Sequence, residues 1–367
     1  MRVETIAIHA GTIITDSNRP AIQPITTSTT FEHHDGSMVY TRAKNPNRLA
    51  LEQVLAKLES GQDAAAFSSG NAAAMAIYQA LPPGSHIIAP DDMYHGIRKQ
   101  LMEIFRGIHE TSFVDMTDLE AIRGAVKSNT ALIWIETPSN PLLKISDIRS
   151  IVGLAKEFGL KVACDNTFAS PIFQNPILMG ADLVMHSTTK FLGGHSDILG
   201  GALVTKESDE LWEKIKMIQH IGGAVPSPFD CYFLCRSIKT LPYRMRAHHH
   251  NSSALALFLS THSQVGKVYY PGLPTHEGYE LAKSQMSGFS GMLSFTVKGG
   301  ADKADELISK LRIFTHATSL GGVESLIERR AAVEGPQSLT PPNLLRVSVG
   351  LENIEDLIED LRLAFGQ

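Results

Sequence analysis

Between residues 63 and 205, short apolar runs alternate with polar or glycine-rich breaks and with stretches of helical spacing. The runs are AAAF (64–67), HIIAP (86–90), TSFVD (111–115), TALIWIE (130–136), LKVACD (160–165), ADLVMHS (181–187) and GALVT (201–205). Runs this short, bounded by turn residues, predict seven strands. The segments between them, such as DLEAIRGAVKS (118–128) and DIRSIVGLAKEFGL (147–160), carry Asp where a helix would start and Gly near its end, as helix capping asks. Strand and helix in alternation predict a largely parallel sheet with helices on both faces. In such sheets ligands gather beyond the carboxyl ends of the strands.

The pattern changes on either side of this region. Residues 1–45 hold no long periodic segment and include RPAIQPITTSTTF (19–31), which predicts an extended arm. After about residue 235 come helix candidates SALALFLSTH (253–262), ADKADELISKLR (301–312) and NIEDLIEDLRLAF (353–365). The same region offers strand candidates GMLSFTVKG (291–299) and LLRVSVG (344–350), and a turn region KVYYPGLPTHEGY (267–279). The expected division is an arm (1–45), a large α/β domain (46–235) and a smaller α+β domain (236–367), consistent with a chain of 367 residues.

Composition narrows the function classes. With 43% apolar and 19% charged residues the chain resembles an ordinary soluble globular protein, and a formal charge of −5 leaves no basic excess for nucleic acid. No apolar run is of membrane-spanning length, and the opening MRVETIAIHAGTIITD does not read as a secretory signal. Three cysteines, Cys164, Cys231 and Cys235, are an odd set that suits a reducing compartment, so a cytoplasmic location is expected. Cys231 and Cys235 share one helical face without further ligands to complete a metal site and read as small buried residues. His248, His249 and His250 are adjacent, so in a helix they point in different directions and read as packing or solvated residues. No metal is expected.

The candidate chemistry lies where the predicted strands end. AAAF is followed by SSGNAAAMAIYQAL, HIIAP by DDMYHG, TALIWIE by TPSNP, KVAC by DNTF and DLVMH by STTK. One rim thus collects Ser69, Tyr94, Asn140, Asp165, Ser187, Thr189 and Lys190. A helix opening at Ser68-Ser69-Gly70 presents free N–H groups and a positive dipole end, suited to phosphate. Lys190 fits a nucleotide loop poorly, because that motif places its lysine after the glycines and here TKFLGG reverses the order. A lysine beside a phosphate site, an aspartate on a neighbouring strand end and a tyrosine on a third loop match pyridoxal phosphate better, with a purely structural lysine as the alternative.

Seven motifs in order, ETPSNP, DNTFASP, GADLVMHSTTKFLGGHSD, GAVPSPFDCYF, KTLPYRM, SLGGVESLIE and LLRVSVGLE, span nearly the whole chain. They resemble those of the pyridoxal-phosphate enzymes of cysteine and methionine metabolism, the cystathionine γ-synthase, γ-lyase and β-lyase family. The resemblance implies the aspartate-aminotransferase-like PLP-dependent transferase fold, with a seven-stranded, mostly parallel sheet and a smaller C-terminal α+β domain. It implies that Lys190 bonds the cofactor covalently and moves protons at the substrate α-carbon. Asp165 would pair with the ring nitrogen, Thr167 would lie against one ring face and Tyr94 would stack on the other. Ser69, the N–H groups of Gly70 and Asn71, and the hydroxyls of Ser187 and Thr189 would hold the phosphate. Asn140 would sit near the ring hydroxyl and the substrate, Arg346 would bind the α-carboxylate, and Ser319 would orient it. Tyr40 and Arg42, in VYTRAKNP, would reach the cofactor phosphate of a neighbouring subunit, which implies a homodimer or homotetramer with shared sites.

The implied activity is formation or cleavage of the Cγ–S bond of cystathionine, with cystathionine β-lyase, methionine γ-lyase and an aminotransferase as alternatives. Three departures from the family pattern bear on substrate choice. Lys99 stands where an arginine is usual, with Arg98 one residue earlier; RRAAVEGPQSLTPPN (329–343) replaces a Met-Thr-His segment; and the stretch from Phe31 to Tyr40 is short.

Overall fold

The computed structural model describes residues 1–12, 20–34, 36, 38–335 and 338–366. Parts of the Phe31–Tyr40 stretch (35 and 37) and of the 329–343 segment (336 and 337) lie outside the described residues.

All seven predicted strands form and share one sheet: β1 (Asp63–Phe67), β2 (His86–Pro90), β3 (Glu110–Val114), β4 (Thr130–Glu136), β5 (Lys161–Asp165), β6 (Leu183–His186) and β7 (Gly201–Thr205). Their order is β1-β7-β6-β5-β4-β2-β3, and only β7 runs against its neighbours. Helices cover both faces, which is why the central strands read as uninterrupted apolar runs. The pleat sends alternate residues to opposite sides. Leu132 and Trp134 of β4 pack with helix Gly70–Ala80, whereas Ile133 and Ile135 pack with helix Ile148–Glu157.

The helix starts follow capping chemistry. Asp118 accepts the N–H groups of Glu120 and Ala121, Asp147 that of Ser150, and Asp209 that of Trp212, each satisfying donors that the helix leaves unpaired. Of these, Asp147 ends the loop after β4 that carries Asn140.

The C-terminal part carries a five-stranded sheet, β8 (Val265–Tyr269), β9 (Met292–Val297), β10 (Thr315–His316), β11 (Leu326–Arg329) and β12 (Leu344–Ser348), ordered β10-β11-β12-β9-β8. β9 and β12 were expected; β8 falls partly within the presumed turn region, and β10 and β11 gave no clear run. Helices Ala301–Lys310 and Ile354–Ala364 pack their apolar faces on this sheet around Phe295, Leu345 and Val347. The helix anticipated at 253–262 is longer, Leu241–Thr261, and includes the histidine triplet. His248 is fully buried, hydrogen-bonded through Nδ1 to the Val349 carbonyl at 2.7 Å, and its ring meets Phe191 edge-on. Cys231 is buried and Cys235 half-buried on helix Pro228–Ile238; burial raises both thiols, Cys235 to about 12.

A seven-residue helix, Val3–His9, lies in the stretch read as an arm and buries Ala7. No helix among the described residues is long and apolar enough to cross a membrane.

Candidate active site

A cavity of about 220 Å³ opens at the carboxyl ends of β4, β5 and β6 and is also lined by Thr318, Ser319, Leu320, Arg330 and Arg346 of the C-terminal part. Twelve of the fourteen predicted site residues line it: Ser69, Gly70, Asn71, Tyr94, Asn140, Asp165, Thr167, Ser187, Thr189, Lys190, Ser319 and Arg346. Tyr40 and Arg42 do not. They lie on the exposed N-terminal segment, where Arg42 Nη1 donates to the His220 carbonyl at 2.5 Å.

The floor is a helix start whose geometry suits an anion. Ser69 caps helix Gly70–Ala80 by accepting the Ala72 N–H at 3.1 Å, which leaves the N–H groups of the first turn facing the cavity. Gly70 is required here for space, since a Cβ on it would stand 2.8 Å from Ser187 Cβ and 3.0 Å from Ser187 Oγ. Thr189 is already engaged, its hydroxyl donating to the Gly200 carbonyl at 3.1 Å and accepting the Gly200 N–H at 3.0 Å.

Asp165 ends β5. One of its oxygens, Oδ1, accepts both the N–H and the hydroxyl of Thr167, at 3.0 and 2.5 Å, and the Thr167 hydroxyl in turn accepts the Ser187 N–H at 2.9 Å. Oδ2 takes no hydrogen bond from a described residue. Burial raises the pKa of Asp165 against the opposing Thr167 bonds. An adjacent acid, Glu136 at the end of β4, is also buried and lines the same cavity; burial first, then the Asp165 charge, push its pKa well above the usual carboxylate range. Two buried carboxyls side by side favour retention of a proton. Both Glu136 oxygens accept the Tyr94 N–H. Tyr94 is 39% exposed and lines the cavity.

Lys190 follows β6. Burial, then the Arg346 charge, lower its amine to about 8, and Nζ donates to Ser319 Oγ at 2.9 Å. Ser319 has a φ of 142°, a value that side chains seldom adopt. Arg346, on β12, is also deeply buried. Its Nη1 donates to Asn140 Oδ1 at 3.1 Å, its Nη2 to the Ser319 carbonyl at 3.1 Å and to Glu328, its register partner on β11. Burial lowers the guanidinium to about 10, against the pull of Glu328, so it stays cationic at neutral pH.

Glu136, Thr318, Glu328 and Arg330 were not anticipated. Glu136 ends a predicted strand, which was the available signal; Glu328 and Arg330 sit in SLIERR, where nothing local marks them as buried, and Thr318 is an exposed residue beside SLGG. Of the departures noted in the sequence, Arg98 lies over the Phe113 ring, 3.9 Å from its centroid, and donates to the Asp91 carbonyl. Lys99 lines a neighbouring cavity that shares Asn140 with the first.

The residues present fit pyridoxal 5′-phosphate: a glycine-floored cradle at a helix start, a free aspartate oxygen, an aromatic cover and a desolvated amine share one cavity, as the class of PLP-dependent enzymes acting on amino acids requires. The chain belongs to the Cys/Met metabolism PLP-dependent enzyme family, which it matches over residues 4–366. It is 46% identical to the cystathionine gamma-synthase of Mycobacterium leprae over 372 residues, covering 98% of this chain and 96% of that protein. It is 41% identical to the cystathionine gamma-lyase of Dictyostelium discoideum over 377 residues, covering 99% and 97%. The crystal structure of metB from Corynebacterium glutamicum superposes with a TM-score of 0.96 at 40% identity, covering 99% of this chain and 97% of that one. These likenesses bear out the expected fold, cofactor and enzyme class.

Proposed function

We propose that the chain is a homo-oligomeric transsulfuration enzyme that forms or cleaves the Cγ–S bond of cystathionine. One observation carries the reading: Lys190 and Arg346 converge on Ser319, the amine on its hydroxyl at 2.9 Å and the guanidinium on its carbonyl at 3.1 Å. An amino acid with its carboxylate on Arg346 thereby brings its α-carbon to the Lys190 amine. The names of these two relatives support action at the γ-carbon.

In this reading the bound cofactor supplies the electron sink for the α-carbon. Arg346 fixes the α-carboxylate by charge-assisted bonds and Ser319 orients it. Lys190, with its lowered pKa, accepts and returns protons at the α-carbon. Asp165 keeps the ring nitrogen protonated, Thr167 and Tyr94 flank the ring, and Asn140 lies at the ring hydroxyl. Ser69, Gly70, Asn71, Ser187 and Thr189 hold the phosphate. Tyr40 and Arg42 complete the site of the neighbouring subunit in a homodimer or homotetramer. The cysteines are unpaired, which favours the reducing cytoplasm.

The test is product identification after incubating purified holoenzyme separately with cystathionine, with methionine, and with an acylated homoserine plus cysteine. Cystathionine formed from acylhomoserine, or cysteine released from cystathionine, supports the proposal. Homocysteine as the sole thiol product would assign a β-lyase, and turnover only with an added keto acid would assign an aminotransferase.

A further inference from the structure

Arg330 lines the same cavity as Lys190 and Arg346 and is 2% exposed. A buried cation needs partners, and Arg330 has two carboxylates. Its Nη1 donates to Glu328 Oε1 at 3.1 Å and its Nε to Glu334 Oε1 at 3.2 Å, with Nη2 3.0 Å from the same Glu334 oxygen. Glu328 Oε1 also receives Arg346 Nη2, while its other oxygen accepts the Thr318 hydroxyl at 2.8 Å. Two guanidinium groups therefore meet at one carboxylate oxygen. A guanidinium has five N–H groups, and among the described residues these contacts leave at least one unspent on each of Nη1 and Nη2 of Arg330.

We infer that Arg330 is a second carboxylate-binding residue, which selects amino acids whose γ-substituent ends in a carboxylate over those whose γ-substituent is neutral. The inference rests on the γ-carbon reading above. Because both arginines reach one Glu328 oxygen and line one cavity, Arg330 lies within reach of a substrate whose α-carboxylate sits on Arg346. The planar fork of arginine matches a carboxylate in a way a point charge does not. The competing view is that Arg330 only anchors the cavity wall, since Glu334 also accepts the hydroxyls of Ser338 and Thr340 at 2.6 and 2.8 Å. An anchor would serve all substrates alike.

The two views separate in the ratio of kcat/KM for O-succinyl-L-homoserine and O-acetyl-L-homoserine, measured on holoenzyme at saturating cysteine. The wild type is expected to favour the succinyl ester. Arg330→Met is expected to lower kcat/KM for that ester about ten- to hundredfold, mainly through KM, and to change the acetyl ester by less than about threefold. Arg330→Lys should recover part of the loss. Both esters are assayed on the same protein, so any general loss of folding cancels in the ratio. Equal losses on both esters, or none, overturn the inference. If neither ester reacts, the enzyme does not use acylhomoserines and the γ-carbon reading rests on cysteine release from cystathionine alone, while calorimetric titration of holoenzyme with succinate and with acetate still decides the role of Arg330. Succinate binding tighter than acetate in the wild type but not in Arg330→Met supports the second carboxylate site, and equal binding refutes it.

Discussion

Glu136 accepts the backbone N–H of Tyr94 with both carboxylate oxygens, at 3.1 and 2.9 Å, so the acid that ends β4 fixes the aromatic residue that follows β2. Glu136→Ala removes this hold and is expected to lower kcat/KM about tenfold, the scale of losing a hydrogen bond to a charged or strongly polar acceptor. Glu136→Gln keeps an acceptor oxygen and should retain most activity. Steady-state kinetics of the two variants, with the visible spectrum of the bound cofactor as a check on ring stacking, decide the point. A Gln variant as impaired as the Ala variant would show that the charge of Glu136 matters and its grip on Tyr94 does not.

Gly70→Ala puts a methyl group 2.8 Å from Ser187 Cβ, closer than real Cβ contacts come. Either the helix start or the loop after β6 must shift, and both belong to the proposed phosphate site. Weaker cofactor retention, by about tenfold or more in dialysis against buffer, is expected with little change in thermal unfolding of the apoprotein, because the strain is confined to one cavity wall. Unchanged retention would mean that the site tolerates the shift.

Much of the large sheet was readable because its strands are covered on both faces and appear as apolar runs with capped helices between them; Asp118 and Asp147 marked helix starts in the sequence and accept N-terminal N–H groups in the structure. The second sheet was harder. Gly266 and Lys267 expose the middle of β8, and β10 has only two residues, both exposed. The site shows the same division. Lys190, Asp165 and Tyr94 follow recognisable strand ends, whereas Glu328 and Arg330 look like surface charges in LIERR. They are buried because Arg346, Glu328, Arg330 and Glu334 neutralise one another across β11, β12 and the following helical turn. That pairing depends on strand register, which local periodicity does not encode.

His248 links stability to pH. Burial holds its imidazole down at about 4, below its ordinary value of 6.5, while the bond to the Val349 carbonyl opposes this only partly. Below pH 6.5 the unfolded chain takes up a proton that the folded protein refuses until about pH 4. The stabilising contribution is therefore complete above pH 6.5 and is lost as pH falls from there to about 4, by up to about 3 kcal/mol. His248→Asn places an amide near the Nδ1 position and does not titrate. Its urea midpoint should fall less steeply than that of the wild type between pH 6.5 and 4, although it starts lower at pH 8 because the ring contact with Phe191 is gone. Parallel curves for the two proteins would remove His248 from the acid response.

In the proposed function, Lys190 sets the pH dependence of cofactor attachment. Only the neutral amine carries the lone pair that attacks a carbonyl carbon, and burial together with the Arg346 charge brings its pKa down to about 8 from an ordinary 10.5. The rate at which apoprotein takes up saturating pyridoxal phosphate should thus rise with pH and level off above about 8, whereas an unperturbed lysine would keep gaining rate toward 10.5. Arg346→Met removes the nearby cation and leaves Glu328 close to the amine, both of which favour the ammonium form. The midpoint should move upward in that variant, and stopped-flow absorbance across pH 6 to 10 would follow it. A midpoint that stays near 8 without Arg346 would leave burial and the Arg330 charge as the causes of the shift, and one near 10 in the wild type would mean that the amine is solvated before the cofactor arrives.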